Sequence, residues 1–361
     1  MSVPHRYRRR GTDSAPYEPW RTTVLAVATK HHRGDASAAP SRPASAGPAR
    51  PRMKRAKDDA LFRRDIRPLM WLMIPTAIAV IVIDLLPVLI GVYNSFRRLA
   101  FSTLEHWMSA PWLGLTNYRQ AIHGQGGMTV SAPTAVWHSL EYSILTTALA
   151  LVVGVTAALT VVSKTSRATP IIRSIYLIPT AIPLFSSAYL WYTILLPSTG
   201  LFDVLRRDLG MGHAANRLLA GDHSLLVLIF VDLWLAWGFI YLFALAGLQG
   251  IRQELYEAAY IDGASPWLRF RYVTYPGLRK VLAIAAVLST FGHYNNFTLP
   301  YVLFGQSPPP GVAVLPTATY QTAYSIYNFG LADAVAVIGL IVIIIPVLVY
   351  VKYVFSARGA A

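Results

Sequence analysis

Long apolar runs separated by short polar segments give this chain its pattern. A helix needs about 20 predominantly apolar residues to cross the hydrocarbon core of a membrane. Six stretches reach that length, and they cover residues 69–93, 137–162, 172–196, 224–248, 281–304 and 329–351. The pattern predicts an all-α membrane protein with six transmembrane helices in a domain that spans residues 69–355.

Composition agrees with this prediction. The chain is 54% hydrophobic and 14% charged, and its mean hydropathy is +0.43. Soluble proteins carry about 25% charged residues. The sequence contains no cysteine, which excludes disulfides and thiolate-ligated metals.

Basic residues predict the orientation, because cytoplasmic segments retain Lys and Arg. An even number of spans places both termini on one side of the membrane. With the N-terminus inside, the inner segments hold 26 of the 32 basic residues and the outer segments hold 6. We therefore predict an N-in/C-in topology.

The N-terminal segment 1–68 holds 16 of the basic residues and is rich in Arg, Ala, Pro, Ser and Gly. Such a composition buries too little apolar surface to fold, so we predict a disordered basic cytoplasmic tail. Met53 is a plausible true start, and residues 356–361 form a short C-terminal tail. The net charge of +15 is better explained by orientation and attraction to membrane lipid than by nucleic acid, for which no binding motif is present.

The polar loop between the fourth and fifth predicted spans has its own pattern. Good helix formers follow Arg252, Gly263 permits a turn, and Ser265-Pro266 is a helix-start signature. The loop is predicted to be a cytoplasmic helix-turn-helix that closes at Pro276, before the fifth span. It would suit docking of a cytoplasmic protein, and an ordinary amphipathic linker is the alternative interpretation.

The spacing within this loop is more specific. Glu257-Ala258-Ala259 is followed by Gly263 after three residues, by Val273 after nine more, and then by Pro276. This spacing resembles the coupling loop of permease subunits in ATP-binding-cassette (ABC) importers of the carbohydrate-uptake type. Val273 and Tyr275 replace the usual Ile and Leu of that family. The resemblance extends over residues 69–355 through the segments Ala246-Gly-Leu-Gln249, Gly114-Leu-Thr-Asn-Tyr118, Gly200-Leu-Phe-Asp203 and Asn328-Phe-Gly330.

The resemblance implies a permease subunit that moves a sugar or sugar derivative through a bacterial or archaeal cell (inner or plasma) membrane. The chain is similar to the first, F-type permease of maltose, trehalose and glycerol-3-phosphate transporters. The implied partners are a second six-span permease in a heterodimer, two copies of an ABC ATPase and an extracytoplasmic substrate-binding protein. The chain itself would bind no cofactor and hydrolyse no ATP, since it lacks the Gly-x-x-x-x-Gly-Lys-Ser/Thr motif. The implied ATPase-coupling residues are Glu257, Ala258, Ala259, Asp262, Gly263 and Pro276.

Polar side chains inside the predicted spans are candidates for the substrate path, because they are costly in a membrane. The segment 293–297 is unusually polar for its helix, and amides with aromatic rings suit sugar hydroxyls and sugar faces. Interhelical packing is the alternative interpretation. Asp333 is predicted to be mainly structural, and Asp84 to face the bundle interior. The candidate path residues are Tyr294, Asn295, Asn296, Phe297, Tyr301, Glu141 and Asp232.

Three other functions remain open from the residues. An ABC permease for a polyamine or amino acid would share the loop, and a stand-alone secondary carrier is a further alternative. An intramembrane enzyme is disfavoured, because His293 has no serine or metal-ligand partner at a recognisable spacing. We therefore expect no catalytic and no metal site.

Overall fold

A computed structural model describes residues 71–162, 169–211, 218–219, 221 and 223–356. The predicted N-terminal tail 1–68 with its possible start at Met53, and residues 357–361 of the predicted C-terminal tail, lie outside the described residues. The described part is helical throughout, with two isolated β-bridges and no strand. This agrees with the predicted all-α class.

The described part contains thirteen α-helices, which we number in chain order. They are α1 (Trp71–Asn94), α2 (Thr116–His123), α3 (Ala132–Val162), α4 (Thr169–Ala181), α5 (Leu184–Leu195), α6 (Leu201–Asp208), α7 (Ser224–Gln249), α8 (Gln253–Ile261), α9 (Pro266–Arg269), α10 (Tyr275–Tyr294), α11 (Thr298–Phe304), α12 (Leu315–Tyr324) and α13 (Phe329–Ser356). Short 3₁₀ helices occupy Phe101–Ser109 and Pro310–Val312.

Four described helices are long and apolar enough to cross a membrane: α1, α3, α7 and the Phe329–Pro346 part of α13. The predicted third span, 172–196, is instead two helices, because α4 and α5 meet at 83°. The bend lies at Ile182-Pro183, where Pro183 has extended backbone angles. Proline lacks an N–H and disfavours helical geometry in the residue before it, which explains the bend. Hydropathy does not register this effect, and the apolar run alone therefore predicts one straight helix.

The predicted fifth span, 281–304, is also interrupted. Helix α10 ends at Tyr294, and α11 begins at Thr298 after three non-helical residues. The side-chain Oδ1 of Asn296 accepts a hydrogen bond from the Leu299 N–H at 3.2 Å, at the start of α11. Asparagine side chains compete with helical hydrogen bonds in this way, which is why the polar residues stop the helix.

Two π turns precede two prolines. Helix α1 contains the π turn Ile81–Leu85 just before Pro87, and the π turn Phe270–Thr274 joins α9 to α10 just before Pro276. A proline in a regular helix clashes with the carbonyl four residues back, and a wider turn relieves that contact. The prediction that Pro276 closes the loop is therefore wrong, since the helical path runs from Pro266 to Tyr294 without a break.

The core of the bundle is the packing of α3 along α7, with α10 against both. Gly154 on α3 allows the closest approach, because an added Cβ would lie 2.8 Å from the Trp237 carbonyl oxygen and 2.8 Å from the Tyr241 nitrogen. Both are backbone atoms of α7, so they cannot rotate away from an added methyl group as a side chain could.

We expect Gly154→Ala to destabilise the bundle by about 1 to 3 kcal/mol, the usual cost of overpacking a core. Thermal unfolding of the purified chain in detergent measures the effect. Gly292→Ala is the matched control, because no atom lies within 4 Å of its added Cβ and alanine favours helix. Equal unfolding temperatures for the two variants would contradict the close contact.

Two of the segments that resemble the importer family meet beside the residues that follow α1. The Asn117 side-chain amide donates to the carbonyls of Ser95 at 2.9 Å and Arg97 at 2.8 Å. The Gly330 N–H donates to the Leu99 carbonyl at 2.9 Å, and an added Cβ on Gly330 would lie 2.3 Å from the Arg97 oxygen. These segments therefore hold one end of the bundle together.

Candidate functional site

The loop between α7 and α10 ends its first helix in a defined way. Gly263 has a φ of +71°, its N–H donates to the Tyr260 carbonyl at 3.0 Å, and the Ala264 N–H donates to the Ala259 carbonyl at 2.9 Å. This is the Schellman ending of a helix, in which glycine is preferred because the conformation is left-handed. No atom lies within 4 Å of an added Cβ, so conformation rather than space selects glycine here.

The loop is tied to the bundle on both of its sides. The hydroxyls of Tyr256 on α8 and Thr274 in the π turn are 3.0 Å apart. An added Cβ on Gly277 would lie 2.6 Å from Ile251 Cδ1, so the end of α7 packs tightly against the start of α10. The loop is therefore held against both α7 and α10 by direct contacts.

The predicted docking residues lie on an open surface. Glu257, Ala258, Asp262, Gly263 and Pro276 are exposed, and Ala259 is half-buried. Large apolar side chains surround them, and those most exposed are Ile261 at 83%, Tyr260 at 72%, Tyr272 at 72% and Trp267 at 68%. Four large exposed apolar side chains within the thirteen residues 260–272 are typical of a protein contact or a membrane contact.

A second group of polar residues lies where α3, α7 and α10 meet. Tyr142 donates its hydroxyl proton to Asp232 Oδ2, and His293 Nδ1 lies 2.7 Å from the same oxygen. The Asn296 amide donates to the Tyr142 hydroxyl oxygen at 3.3 Å, and Ser289 Oγ lies 3.0 Å from His293 Nε2. Three helices are therefore joined by one hydrogen-bonded network whose central carboxylate is 3% exposed.

The Ser289, His293 and Asp232 contacts follow the order of a hydrolase triad, so the prediction that His293 lacks a serine partner is wrong. Ser289 lies four residues before His293 on α10, one helical turn away. A hydrolase also needs backbone N–H groups aimed at the reacting oxygen. The backbone around Ser289 lies within a continuous α-helix, whose N–H groups bond to carbonyls four residues back, so the geometry favours a structural network.

Two cavities flank the break between α10 and α11. One of about 590 Å³ is lined by Thr180, Asp232, Ser289 and His293 among others. The other, of about 670 Å³, is lined by α1, α10, α12 and α13. Asn295 and Phe297 line both cavities. Two predicted path residues therefore lie at a point that faces two separate spaces.

The remaining predicted path residues have different surroundings. Tyr294 is 1% exposed, donates its hydroxyl proton to the Gly339 carbonyl at 3.2 Å and contributes to the lining of the larger cavity. Tyr301 stacks on Phe297 with a centroid distance of 4.8 Å. Glu141 is half-buried beside Tyr142 in sequence and forms no ion pair within the described ranges.

The other two intramembrane carboxylates are Asp84 and Asp333. Asp84 was predicted to face the bundle interior, but it is exposed in the π turn of α1, where no described residue packs over it. Asp333 is half-buried and lines the larger cavity beside Gly91. Hydropathy locates a carboxylate in a span, but it does not tell which face of the helix carries it.

Sequence reasoning missed Tyr142, Ser289, Thr180, Tyr320 and Tyr324. Tyr142 follows Glu141 in an apolar run and was visible as a second polar group there. Tyr320 and Tyr324 belong to α12, a ten-residue helix too short to be recognised as a span. Among the described residues no group of three or more His, Asp or Glu side chains is arranged to hold a metal.

Comparison with known proteins identifies the class. Residues 150–358 match the family described as the binding-protein-dependent transport system inner membrane component. The match covers more than half of the chain, and it contains the loop and the network residues Asp232, Ser289, His293 and Asn296, while Tyr142 precedes it. The chain belongs to this family of transport-system permeases, as the resemblance predicted.

Named relatives cover most of the chain. The trehalose/maltose transport system permease protein MalF of Thermococcus litoralis is 29% identical over 285 residues, which are 78% of this chain and 91% of that protein. The arabinooligosaccharides transport system permease protein AraP of Bacillus subtilis is 26% identical over 288 residues, 79% of this chain and 88% of that protein.

A solved structure has the same fold. The chain superimposes with a TM-score of 0.64 and 22% identity on a chain of a bacterial alginate ABC transporter, crystallised in complex with an alginate pentasaccharide-bound periplasmic protein. The similarity covers 79% of this chain and 94% of that chain. At this identity it supports the fold alone.

Proposed function

We propose that this chain is a permease subunit of an ATP-driven importer for a sugar or sugar derivative. The observation that carries the proposal is that one helical path connects the two candidate sites. It begins at Pro266 in the loop and ends at Tyr294, beside Asn295 and the two cavities. Its 29 residues span about 40 Å at 1.5 Å per residue.

The proposed mechanism is a switch between two arrangements of the bundle. Closure of an ATPase dimer would displace the exposed loop around Glu257 and Gly263, and the helical path would carry that displacement to the α10–α11 break. The break lets α10 move relative to α11, which would open the substrate space to one side of the membrane or the other. Hydrolysis of ATP would occur in the partner subunit.

Six spans with an N-in/C-in topology remain part of the proposal. The four long helices and the bent pair α4–α5 account for five spans. Helix α10 with α11 supplies the sixth, which corresponds to the apolar stretch 281–304 and is interrupted by the polar break. In this arrangement the basic loop lies on the cytoplasmic side of a bacterial or archaeal inner or plasma membrane.

The proposed assembly contains a second six-span permease, two copies of an ABC ATPase and an extracytoplasmic substrate-binding protein. Family membership supports a multi-subunit importer, and the alginate transporter was crystallised with a periplasmic protein. An ABC permease for a polyamine or amino acid is less well supported, because both relatives described above are named for carbohydrates. A stand-alone secondary carrier would leave the exposed loop surface without a partner.

The test is purification of tagged full-length chain from native membranes in mild detergent, with mass spectrometry of the proteins that co-purify. We expect an ABC ATPase and a second permease with the unaltered chain, and at least a tenfold loss of ATPase with Glu257→Arg. Glu105→Arg is the matched control, because Glu105 is also an exposed carboxylate but lies in the 3₁₀ segment after α1. Recovery of the chain alone, even after crosslinking, would contradict the importer.

A further inference from the structure

Phe297, Tyr320 and Tyr324 line the larger cavity, and neither the coupling loop nor the buried network explains them. Tyr301 does not line the cavity but contacts the first two rings. Phe297 and Tyr301 stack at 4.8 Å with 27° between their planes, and Tyr320 lies 5.0 Å from the first ring and 5.1 Å from the second. Tyr324 continues the series at 4.8 Å from Tyr320. We call these four residues the aromatic ladder.

Two residues of the aromatic ladder project from α12 in the same direction. Tyr320 and Tyr324 are four residues apart, so they lie on the same face of the helix. Ala318, Gln321 and Thr322, which lie on the other faces, are buried. Pro316, Thr319, Tyr320, Ala323 and Tyr324 all line the cavity. One face of α12 is therefore packed into the protein, and another is directed at an open space.

The exposure of the ladder separates it from ordinary core packing. Tyr324 is 58% exposed, and Tyr301 and Tyr320 are half-buried. By contrast, Tyr142, Tyr241 and Tyr294 are each at most 1% exposed. Rings that serve only to fill the core are covered, whereas ring faces left open beside a cavity of about 670 Å³ are available to a ligand.

Polar groups in the same cavity indicate the class of ligand. The Asn295 amide can donate and accept hydrogen bonds, and the Asp333 carboxylate can accept them from hydroxyls. Within the described part of the chain no Lys or Arg lines the cavity, and Asp333 forms no ion pair with another described residue. Flat apolar ring faces beside hydrogen-bonding groups suit a pyranose ring. A lining without a cation among the described residues offers an anionic sugar no opposite charge.

We propose that Tyr320 and Tyr324 form a stacking position for one pyranose ring of a neutral oligosaccharide, next to Asn295 at the helix break. The inference rests on the proposed function and names the substrate class. A sugar bound there continues past Phe297 to the Asn295 amide at the break. An acidic saccharide such as a polyuronate is rejected at this position.

The test is saturation-transfer difference NMR on the full-length chain in lipid nanodiscs, with trehalose and maltose as neutral probes and digalacturonate as the anionic probe. We expect signals on the ring protons of a neutral disaccharide and none for digalacturonate. The double variant Tyr320→Ala/Tyr324→Ala weakens binding about 10-fold or more, the value expected for losing two stacked rings. Tyr320→Phe/Tyr324→Phe retains binding, because the ring faces remain.

The control is Tyr327→Ala, which removes another half-exposed ring that packs edge-to-face with Phe101 and does not line the cavity. Its binding remains at the level of the unaltered chain. An equal signal from the double alanine variant, a stronger signal from digalacturonate, or no signal from either neutral probe would overturn the inference. The inference is also overturned if the double alanine variant no longer co-purifies the partner permease but gives an unchanged sugar signal. That result would assign the rings to a subunit interface.

These outcomes are separate from those that decide the proposed function. The NMR measurement uses this chain alone, whereas the importer is tested by recovery of the ATPase. A chain that recruits the ATPase and ignores the neutral sugars contradicts the ladder alone. A chain that binds them through Tyr320 and Tyr324 but recruits no ATPase contradicts the importer alone.

Discussion

Gly263→Pro is expected to abolish ATP-driven uptake while the protein is still produced and inserted. Proline fixes φ near −65°, whereas Gly263 has a φ of +71° and donates its N–H to the Tyr260 carbonyl. The substitution therefore destroys the ending of α8 and changes the direction in which the loop surface points. Uptake of labelled sugar by cells that carry the complete transporter measures the loss, which we expect to exceed 100-fold.

The structure supplies a matched control for this experiment. Gly210 ends α6 in the same way, with a φ of +70° and hydrogen bonds from Gly210 to Arg207 and from Met211 to Arg206. Gly210→Pro imposes the same chemical change away from the loop and is expected to retain ATPase recruitment. Gly263→Asn is expected to recover part of the uptake, because asparagine tolerates the left-handed conformation. Normal uptake by Gly263→Pro would remove the coupling role from this loop.

Asp232→Ala is expected to destabilise the bundle by about 2 to 5 kcal/mol. The change leaves the Tyr142 hydroxyl and the His293 Nδ1 without their partner, and each orphaned buried group costs about 1 to 3 kcal/mol. Asp232→Asn is expected to cost less, since an amide oxygen still accepts one of the two hydrogen bonds. Denaturant unfolding of the purified chain, followed by tryptophan fluorescence, compares the two variants.

Asp84→Ala is the control for Asp232→Ala. It removes an intramembrane carboxylate that is not part of the buried network. Asp84 is exposed in the chain, so its removal leaves no described group without a partner. Its unfolding curve is expected to overlie that of the unaltered chain. If Asp232→Ala unfolds at the same denaturant concentration as Asp84→Ala, the buried network contributes nothing to stability.

The sequence pattern predicted the long helices well where an apolar run continues over the whole length of the helix. The predicted fourth span 224–248 corresponds to α7, Ser224–Gln249, because the run is apolar throughout and ends at a glycine. The same averaging concealed the bend at Pro183 and the break at Asn295, since a few turn residues barely lower the mean hydropathy of a long window. The π turns are invisible to any pattern with a fixed helical period.

The site was predictable in part for a similar reason. Asn295, Asn296 and Phe297 stood out because they are polar or aromatic in an apolar run. Their contacts did not, because Tyr142 and Asp232 come from helices that are distant in sequence. Family membership is confirmed by the match over residues 150–358, while the coupling and path roles of single residues stay predictions.

The π turn Phe270–Thr274 has a consequence for the phase of the loop around its helix. A π turn holds one residue more than an α turn, and one residue corresponds to about 100° of rotation about the axis. Compared with an unbroken α-helix of the same residues, the loop that precedes Pro276 is therefore rotated by about 100° about the helix axis. Removing the proline would let the wide turn tighten, and the surface carrying Glu257 would swing to a different side of the bundle without any change in its own residues.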